Sequence, residues 1–319
     1  MKPVVWALVG PTGSGKTQTA IHICRELNAE IVSMDSMQIY CGMDIGTAKP
    51  TQEERNAVPH HMIDVAQPDQ LFTVSMYREM ASKAIDGILA RGKHPLLVGG
   101  TGLYLQALSY DLSLGDRGAD NALRQELNDM AMQPDGPKRL HERLRAVDPE
   151  SADRLHPNDV RRVIRALEIY ETSGRAKSAQ EADQRKEGPY RVLVYGLSMP
   201  REQMYARINA RVDEMISAGL VDEVRRLLSS GIEPKREGGA MQAIGYKEIV
   251  SALRGETSME EAVARIKQSS RRYAKRQWTW FRHDPRTQWY DWSAYSSADA
   301  LIEALASKMR ADLETECDK

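Results

Sequence analysis

Val4-Val5-Trp6-Ala7-Leu8-Val9-Gly10-Pro11-Thr12-Gly13-Ser14-Gly15-Lys16-Thr17 is the stretch on which the fold turns. Its first six residues are apolar and of strand length. Gly10 to Thr17 read G-x-x-x-x-G-K-T, the phosphate-loop pattern. Ala20, Ile21, Ile23, Cys24 and Leu27 then recur at helical spacing. Strand, glycine-rich turn and helix is the setting that gives the motif its meaning. The glycines let backbone N–H groups turn inward around phosphate oxygens, and the helix start adds the positive end of its dipole. Gly10, Pro11, Thr12, Gly13, Ser14, Gly15, Lys16 and Thr17 are therefore the expected cradle. Lys16 would reach the terminal phosphate and the Thr17 hydroxyl would hold Mg²⁺. The motif alone does not say which phosphate chain it binds.

Working outward, short apolar runs recur at Val4–Val9, Ile31–Met34, His61–Val65 and Pro95–Val98, separated by helical patterns such as Val74–Leu89. Strands alternating with helices predict βαβ units in a parallel sheet. After Tyr110 the character changes: residues 117–187 are helical, charged and without a strand signal. Tyr190–Leu197 returns as a strand, helices resume at Arg201, Gln288–Trp292 reads as a late strand and Ala298–Leu313 as a closing helix. The expected class is α/β, a P-loop-type parallel sheet flanked by helices, with an all-helical insertion. The core would span 1–112 and 188–319, and the insertion 113–187. Gly/Pro-rich stretches at 111–118, 134–137 and 231–239 read as loops.

Composition excludes several classes. Lys plus Arg number 44 and Asp plus Glu 45, so no whole-molecule field draws the chain to nucleic acid and any basic surface is local. Cys24, Cys41 and Cys317 are odd in number and lack C-x-x-C spacing. That argues against a disulfide framework or structural zinc, and fits a reducing cytoplasm. Met1 to Val9 reads as a first strand and not a signal peptide. No run approaches membrane-spanning length. Nothing calls for an obligate protein partner.

In an open parallel sheet the ligand crevice lies beyond the carboxyl ends of the strands. Asp35-Ser36-Met37-Gln38 follows the second strand and Gly99-Gly100-Thr101-Gly102 the fourth, so Lys16, Asp35 and Thr101 are expected at one mouth. Asp35 is a candidate general base, with an N-cap or an indirect Mg²⁺ ligand as the alternative. Thr101 would bond a phosphate or the nucleophile, or merely cap a helix. His60 and His61 point to opposite faces of a strand and do not suit one metal ion. Arg207 and Arg211 share a helix face, where one could clamp a pyrophosphate or both could belong to a surface pattern with Asp213 and Glu214.

Ala262–Arg282 is the second informative region. At about 100° per residue, Ala262, Val263, Ile266, Tyr273, Ala274, Trp280 and Phe281 form an apolar stripe. Lys267, Arg271, Lys275, Trp278 and Arg282 share a second face, and Arg265, Arg272 and Arg276 a third. From Arg265 to Arg286 only Asp284 is acidic. Two basic faces, one carrying an indole, suit a phosphodiester backbone with a base stacked nearby. The alternative is a solvated charged face. Arg161, Arg162 and Arg165 follow Asn158-Asp159, a helix cap; read alone, they are better taken as solvated than as phosphate contacts.

With these residues assembled, the chain resembles the bacterial tRNA dimethylallyltransferases, also called tRNA isopentenyltransferases. The resemblance rests on Gly10–Thr17, Asp35–Tyr40, Gly46–Pro50, His60-His61, Gly99–Tyr104, Asn158–Arg162, Arg165–Glu168, Ala243–Glu248 and Tyr273–Gln277, in that order along most of the chain. It implies transfer of a dimethylallyl group from dimethylallyl diphosphate to N6 of adenosine 37, just 3′ of the anticodon. It further implies a P-loop-kinase-like core, a helical insertion contacting tRNA, and Mg²⁺. By the same resemblance Lys16 and Arg211 stabilise the diphosphate, Asp35 is the base, and Thr101 positions a reactant. The anticodon stem-loop would meet Asp35, Ser36, Met37, Gln38, Thr101, Arg161, Arg162, Arg165, Gln242, Gly245, Tyr246, Arg271, Lys275, Arg276, Gln277, Trp278 and Arg282. Gly13 stands where the family often has alanine. The zinc-finger tail of eukaryotic relatives is absent, so RNA grip is expected from core and insertion. The rival readings are an adenylate isopentenyltransferase, a small-molecule P-loop kinase that uses ATP, and, least favoured, a non-enzymatic RNA-binding module.

Overall fold

β1 (Val4–Val9) is the strand on which the sheet is built. Its alternation sends Val5, Ala7 and Val9 to one face and Trp6 and Leu8 to the other, and all five are buried. The computed structural model describes residues 2–110, 121–183, 187–234 and 239–317. In chain order follow α1 (Lys16–Glu26), β2 (Ala29–Met34), α2 (Gln52–Ala57), β3 (His60–His61), α3 (Val74–Ala90), β4 (His94–Gly99) and α4 (Gly102–Ser109). Next come α5 (Asn121–Ala131), α6 (Gly136–Val147), α7 (Pro149–Arg154), α8 (Val160–Ser173) and α9 (Lys177–Asp183). β5 (Arg191–Ser198), α10 (Arg201–Ser217), α11 (Leu220–Ser229), α12 (Tyr246–Leu253), α13 (Met259–Arg282), β6 (Gln288–Asp291) and α14 (Ala298–Cys317) complete the chain.

Among the described residues the six strands make one sheet in the order β3-β2-β4-β1-β5-β6, every pair parallel. One face packs on Tyr77, Ala81, Ile85 and Ile88 of α3, Leu105 and Leu108 of α4, and Phe281 of α13. The other packs on Ala20, Ile21, Ile23 and Cys24 of α1 and on Leu301, Leu305, Ala306 and Met309 of α14. This is the expected α/β class. A further cluster under the sheet edge joins Ile39, Tyr40 and Met43 to Leu220, Val224, Tyr246, Ile249, Ala262 and Ile266.

The chain divides into two compact units, Met1–Leu108 with Tyr190–Lys319, and Ser109–Pro189. The second unit is helical, α5 to α9, around Leu127, Leu140, Leu144, Val163, Ile164 and Leu167. The loop expected at 111–118 lies outside the described residues, as does part of 231–239.

One strand is shorter than its sequence predicts. The run His61–Val65 yields only the two-residue β3, because Met62 and Asp64 take left-handed φ values of 63° and 56° that no strand accommodates. Nor does Asp159 cap α8 with its side chain; its carboxylate holds Arg162 Nη1 at 2.8 Å.

Candidate active site

The turn from β1 into α1 is held from outside. Gly10 has φ 146°, and a Cβ there would stand 2.6 Å from the Leu197 carbonyl oxygen at the end of β5. Gly15 has φ 88°, with the Trp292 ring 3.0 Å from its missing Cβ. Trp292 Nε1 donates to the Ser14 carbonyl at 2.8 Å. The first turn of α1 contains no acidic residue, so its N–H groups are open to an anion. Lys16 Nζ is folded back on its own loop, donating to the Pro11 carbonyl at 2.8 Å. Burial of the ammonium, reinforced by the Arg211 charge and only partly offset by Asp35, draws Lys16 down to about 7.

Two arginines close the phosphate end. Arg207 and Arg211 lie four residues apart on α10, and both line the cavity. Arg211 Nη1 meets Thr12 Oγ1 at 3.3 Å. Burial lowers the Arg211 guanidinium from its usual value, while Asp35 and Glu214 work in the opposite direction.

The cavity has a volume of about 450 Å³. It joins Thr12, Gly13, Gly15, Lys16, Thr17, Arg207 and Arg211 to Ser33, Asp35, Gln38, Gly99, Gly100, Tyr273 and Gln277. Ile31, Ala48, Pro50, Ile63 and Val98 supply apolar wall. Lys16 and Asp35 thus meet in one site although the sequence keeps them apart. Asp35 Oδ1 accepts from the N–H groups of Met37 at 2.8 Å and Gln38 at 3.3 Å. Among the described residues its Oδ2 makes no hydrogen bond. Cap and base are therefore not exclusive readings, because one oxygen serves the turn and the other remains available.

In Gly99-Gly100-Thr101-Gly102 the glycines do not serve backbone conformation. None of its glycines has a positive φ. A Cβ at Gly100 would fall 1.8 Å from Gln277 Nε2, and one at Gly102 would fall 1.9 Å from Trp280 Nε1. The glycines make room for α13. Thr101 Oγ1 accepts from the Ser36 N–H at 3.3 Å. It also interacts with the hydroxyl of Tyr273, which in turn reaches Gln277. Burial, with the Asp35 charge behind it, pushes the Tyr273 phenol up to about 12. Arg276 lies over the Tyr273 ring at 5.5 Å. The sequence reading placed Tyr273 in the apolar stripe; the available signal was its spacing of four from Gln277.

Several residues expected to meet RNA are buried or already have partners within the protein. Gln277 is 6% exposed; its Oε1 accepts from the Thr12 N–H at 2.8 Å and its Nε2 donates to the Gly100 carbonyl at 3.1 Å. It braces the two loops together. Tyr246 is fully buried, its hydroxyl donating to Glu223 Oε1 at 2.6 Å. Glu223 also accepts from the N–H groups of Asp44, Ile45 and Gly46, so Tyr246 belongs to a lock on that turn. Gly245 is buried, its N–H held by Glu248 at 2.9 Å. Gln38 Nε2 donates to the carbonyls of Thr47 and Ala48, and its Oε1 accepts from Ser33. Trp278 packs on Trp289 with ring centroids 4.5 Å apart, so the indole expected to stack on a base is already paired. Arg162 is paired with Asp159, and Arg165 with the buried Glu168 that Arg124 also grips.

Others stay open. Arg161, Lys275 and Arg282 are exposed and, among the described residues, have no ion pair. Arg271 bonds Asn209 at 2.6 Å and lies over Tyr205. Met37 and Gln242 are half-buried. His61 holds Glu30 at 2.7 Å, while His60 lines the cavity with a buried, unpartnered Nε2. Burial lowers the His60 imidazole. No group of three metal-ligating side chains occurs among the described residues.

A phosphate loop at the carboxyl edge of a parallel sheet, faced by two arginines and a carboxylate, defines a P-loop enzyme for a phosphorylated substrate. The chain belongs to the IPP transferase family, whose pattern matches residues 38–284; a related pattern, isopentenyl transferase, matches residues 3–69. It is 48% identical over 290 residues to a tRNA dimethylallyltransferase of Bacillus pumilus, covering 91% of this chain and 90% of that protein. A Geobacillus kaustophilus protein of the same name is 44% identical over 318 residues, with full coverage of both. The crystal structure of the tRNA isopentenylpyrophosphate transferase from Bacillus halodurans aligns with a TM-score of 0.74 and 42% identity, over 100% of this chain and 99% of that one. A eukaryotic dimethylallyltransferase acting on tRNA aligns with a TM-score of 0.81 and 29% identity, over 98% of this chain and 80% of that one.

Proposed function

We propose that this chain transfers the dimethylallyl group of dimethylallyl diphosphate to N6 of adenosine 37 in tRNA. The supporting observation is the cavity that joins Lys16, Arg207 and Arg211 to Asp35 and Tyr273, with Thr101 held against Tyr273. The diphosphate lies on the loop amides and the start of α1. Lys16 leaves the Pro11 carbonyl for the phosphates, and Arg207 and Arg211 face them from α10. These charges stabilise the leaving group as its C–O bond breaks and the allylic carbon becomes cationic. The exocyclic amine of adenine is a weak nucleophile because its lone pair is delocalised. Asp35 Oδ2 accepts its hydrogen bond, orients it, and takes its proton as the N–C bond forms. Thr101, held by Ser36 and Tyr273, fixes the amine's approach.

Mg²⁺ fits Thr17, which lines the cavity and whose hydroxyl makes no hydrogen bond among the described residues. Thr17 would hold the ion, which would supply charge neutralisation for the leaving group. The target base must leave its stack, which costs less in a loop than in a duplex. A tRNA substrate supports a cytoplasmic setting for the enzyme. No helix among the described residues is long and apolar enough to cross a membrane. The test is nucleoside mass spectrometry of tRNA after incubation with the enzyme and dimethylallyl diphosphate. A dimethylallyl increment on adenosine 37 is expected. ATP turnover without transfer would indicate a kinase, and AMP outcompeting an anticodon stem-loop would indicate an adenylate isopentenyltransferase.

A further inference from the structure

α13 lays a second aromatic ring on the glycine turn, beside the cavity mouth. Trp280 follows Gln277 by three residues and Tyr273 by seven, so all three share one side of the helix. Tyr273 and Gln277 line the cavity. Trp280 stands about 10 Å beyond Tyr273 along the helix axis. Its pyrrole edge rests on Gly102, where a Cβ would fall 1.9 Å from Nε1. The ring is thereby seated on bare backbone, yet the residue is 41% exposed. Leu103, next to Gly102, is 45% exposed. The surroundings are cationic: Arg272, Lys275 and Arg282 are exposed on the same helix and, among the described residues, have no acidic partner.

We propose that Trp280 is a stacking ledge for the nucleobase adjoining the target adenine in the RNA loop. This rests on the RNA-transfer reading above. Extruding one base into the cavity uncovers a face of its neighbour. An indole less than one helical turn beyond Gln277 of the cavity wall, on a helix whose exposed cations suit phosphates, covers that face. The excess of positive charge favours RNA over a protein partner.

The experiment measures binding of an anticodon stem-loop to wild type, Trp280→Ala and Trp280→Phe. A second stem-loop carries an abasic site next to the target adenosine. Trp280→Ala is expected to weaken binding of the intact stem-loop roughly tenfold to a hundredfold, and Trp280→Phe much less. The abasic site should weaken wild type similarly and add little in Trp280→Ala. Dimethylallyl diphosphate binding and thermal melting should be unchanged, which separates the effect from misfolding. Equal binding of both stem-loops by wild type and Trp280→Ala overturns the ledge alone. Failure of wild type to bind the intact stem-loop overturns the RNA reading and the ledge with it. A wild-type dimer broken by Trp280→Ala overturns the ledge in favour of a protein interface.

Discussion

Two glycine-rich turns end neighbouring strands of this sheet, and they use glycine for different reasons. In Gly10–Gly15 three glycines take positive φ and turn the backbone around an anion site. In Gly99–Gly102 no glycine does. There Gly100 and Gly102 lack side chains because Gln277 and Trp280 occupy the space. The first turn serves a ligand through its backbone, and the second serves a helix through its emptiness. Thr101, between the two emptied positions, is the residue of the second turn that faces chemistry.

The proposed function gives leaving-group chemistry to the first turn and amine chemistry to the second with Asp35. The sharpest break is Asp35→Asn, which keeps the Oδ1 acceptor for Met37 and Gln38 but loses the charge. Single-turnover transfer should fall by about 10²–10⁴-fold, with binding of both substrates changing far less. Rescue of that rate by added Mg²⁺ would return Asp35 to a metal-organising role.

The next test addresses the second turn. Gly100→Ala drives a methyl into Gln277 and should cost about 1–3 kcal/mol of stability in a denaturant melt. Adding Gln277→Ala removes the obstruction, so the double variant should lose less than the two single losses combined. Simple additivity would mean that Gly100 answers to something other than α13.

The first turn was legible because its chemistry is local. Strand, glycines, Lys16 and helix follow one another within one short stretch, and nothing distant is needed to read them. The parallel sheet was legible for a similar reason: buried strands are apolar throughout. The amine end was only half legible. Asp35 and Thr101 announced themselves at strand ends. The roles of Tyr273, Gln277 and Trp280 depend on where α13 lands, which no local pattern contains. The family resemblance placed Gln277 among RNA contacts and helical periodicity placed Trp280 in the core stripe, yet the fold buries the amide and opens the indole. Tyr246 failed for the same reason, since its partner Glu223 is fixed by packing of α11 against α12.

A pH series separates the phosphate end from the amine end. In the free enzyme Lys16 titrates near 7, well below its ordinary 10.5. A diphosphate beside it favours the charged form, so binding takes up a proton. Affinity for inorganic pyrophosphate should hold below pH 7 and fall by up to about tenfold per pH unit above it. Over pH 7 to 10.5 the unfolded chain binds more protons at this lysine than the folded one, so ligand-free stability from this group rises with pH. Lys16→Arg carries a permanent charge and should flatten both trends. Titration calorimetry and thermal melts across pH measure them, and an unchanged slope in Lys16→Arg would remove Lys16 as their source.

The smallest expected effect concerns Tyr273, where the two turns meet. Its hydroxyl touches Thr101, and Gln277 beside it is bonded to Thr12 of the first turn. Tyr273→Phe removes only that hydroxyl and keeps the ring under Arg276. One hydrogen bond is worth about 0.5–1.5 kcal/mol net, so transfer should slow by roughly 2- to 12-fold. The loss should fall on the chemical step, because Thr101 keeps its Ser36 bond but loses its second restraint. Pyrophosphate affinity should stay at the wild-type level, since the Gln277 bonds to Thr12 and Gly100 do not involve the phenol. A merely structural tyrosine would instead lower the melting temperature and weaken pyrophosphate binding together. Single-turnover rates measured beside pyrophosphate titrations therefore decide whether the bridge passes through the Tyr273 hydroxyl or through Gln277 alone.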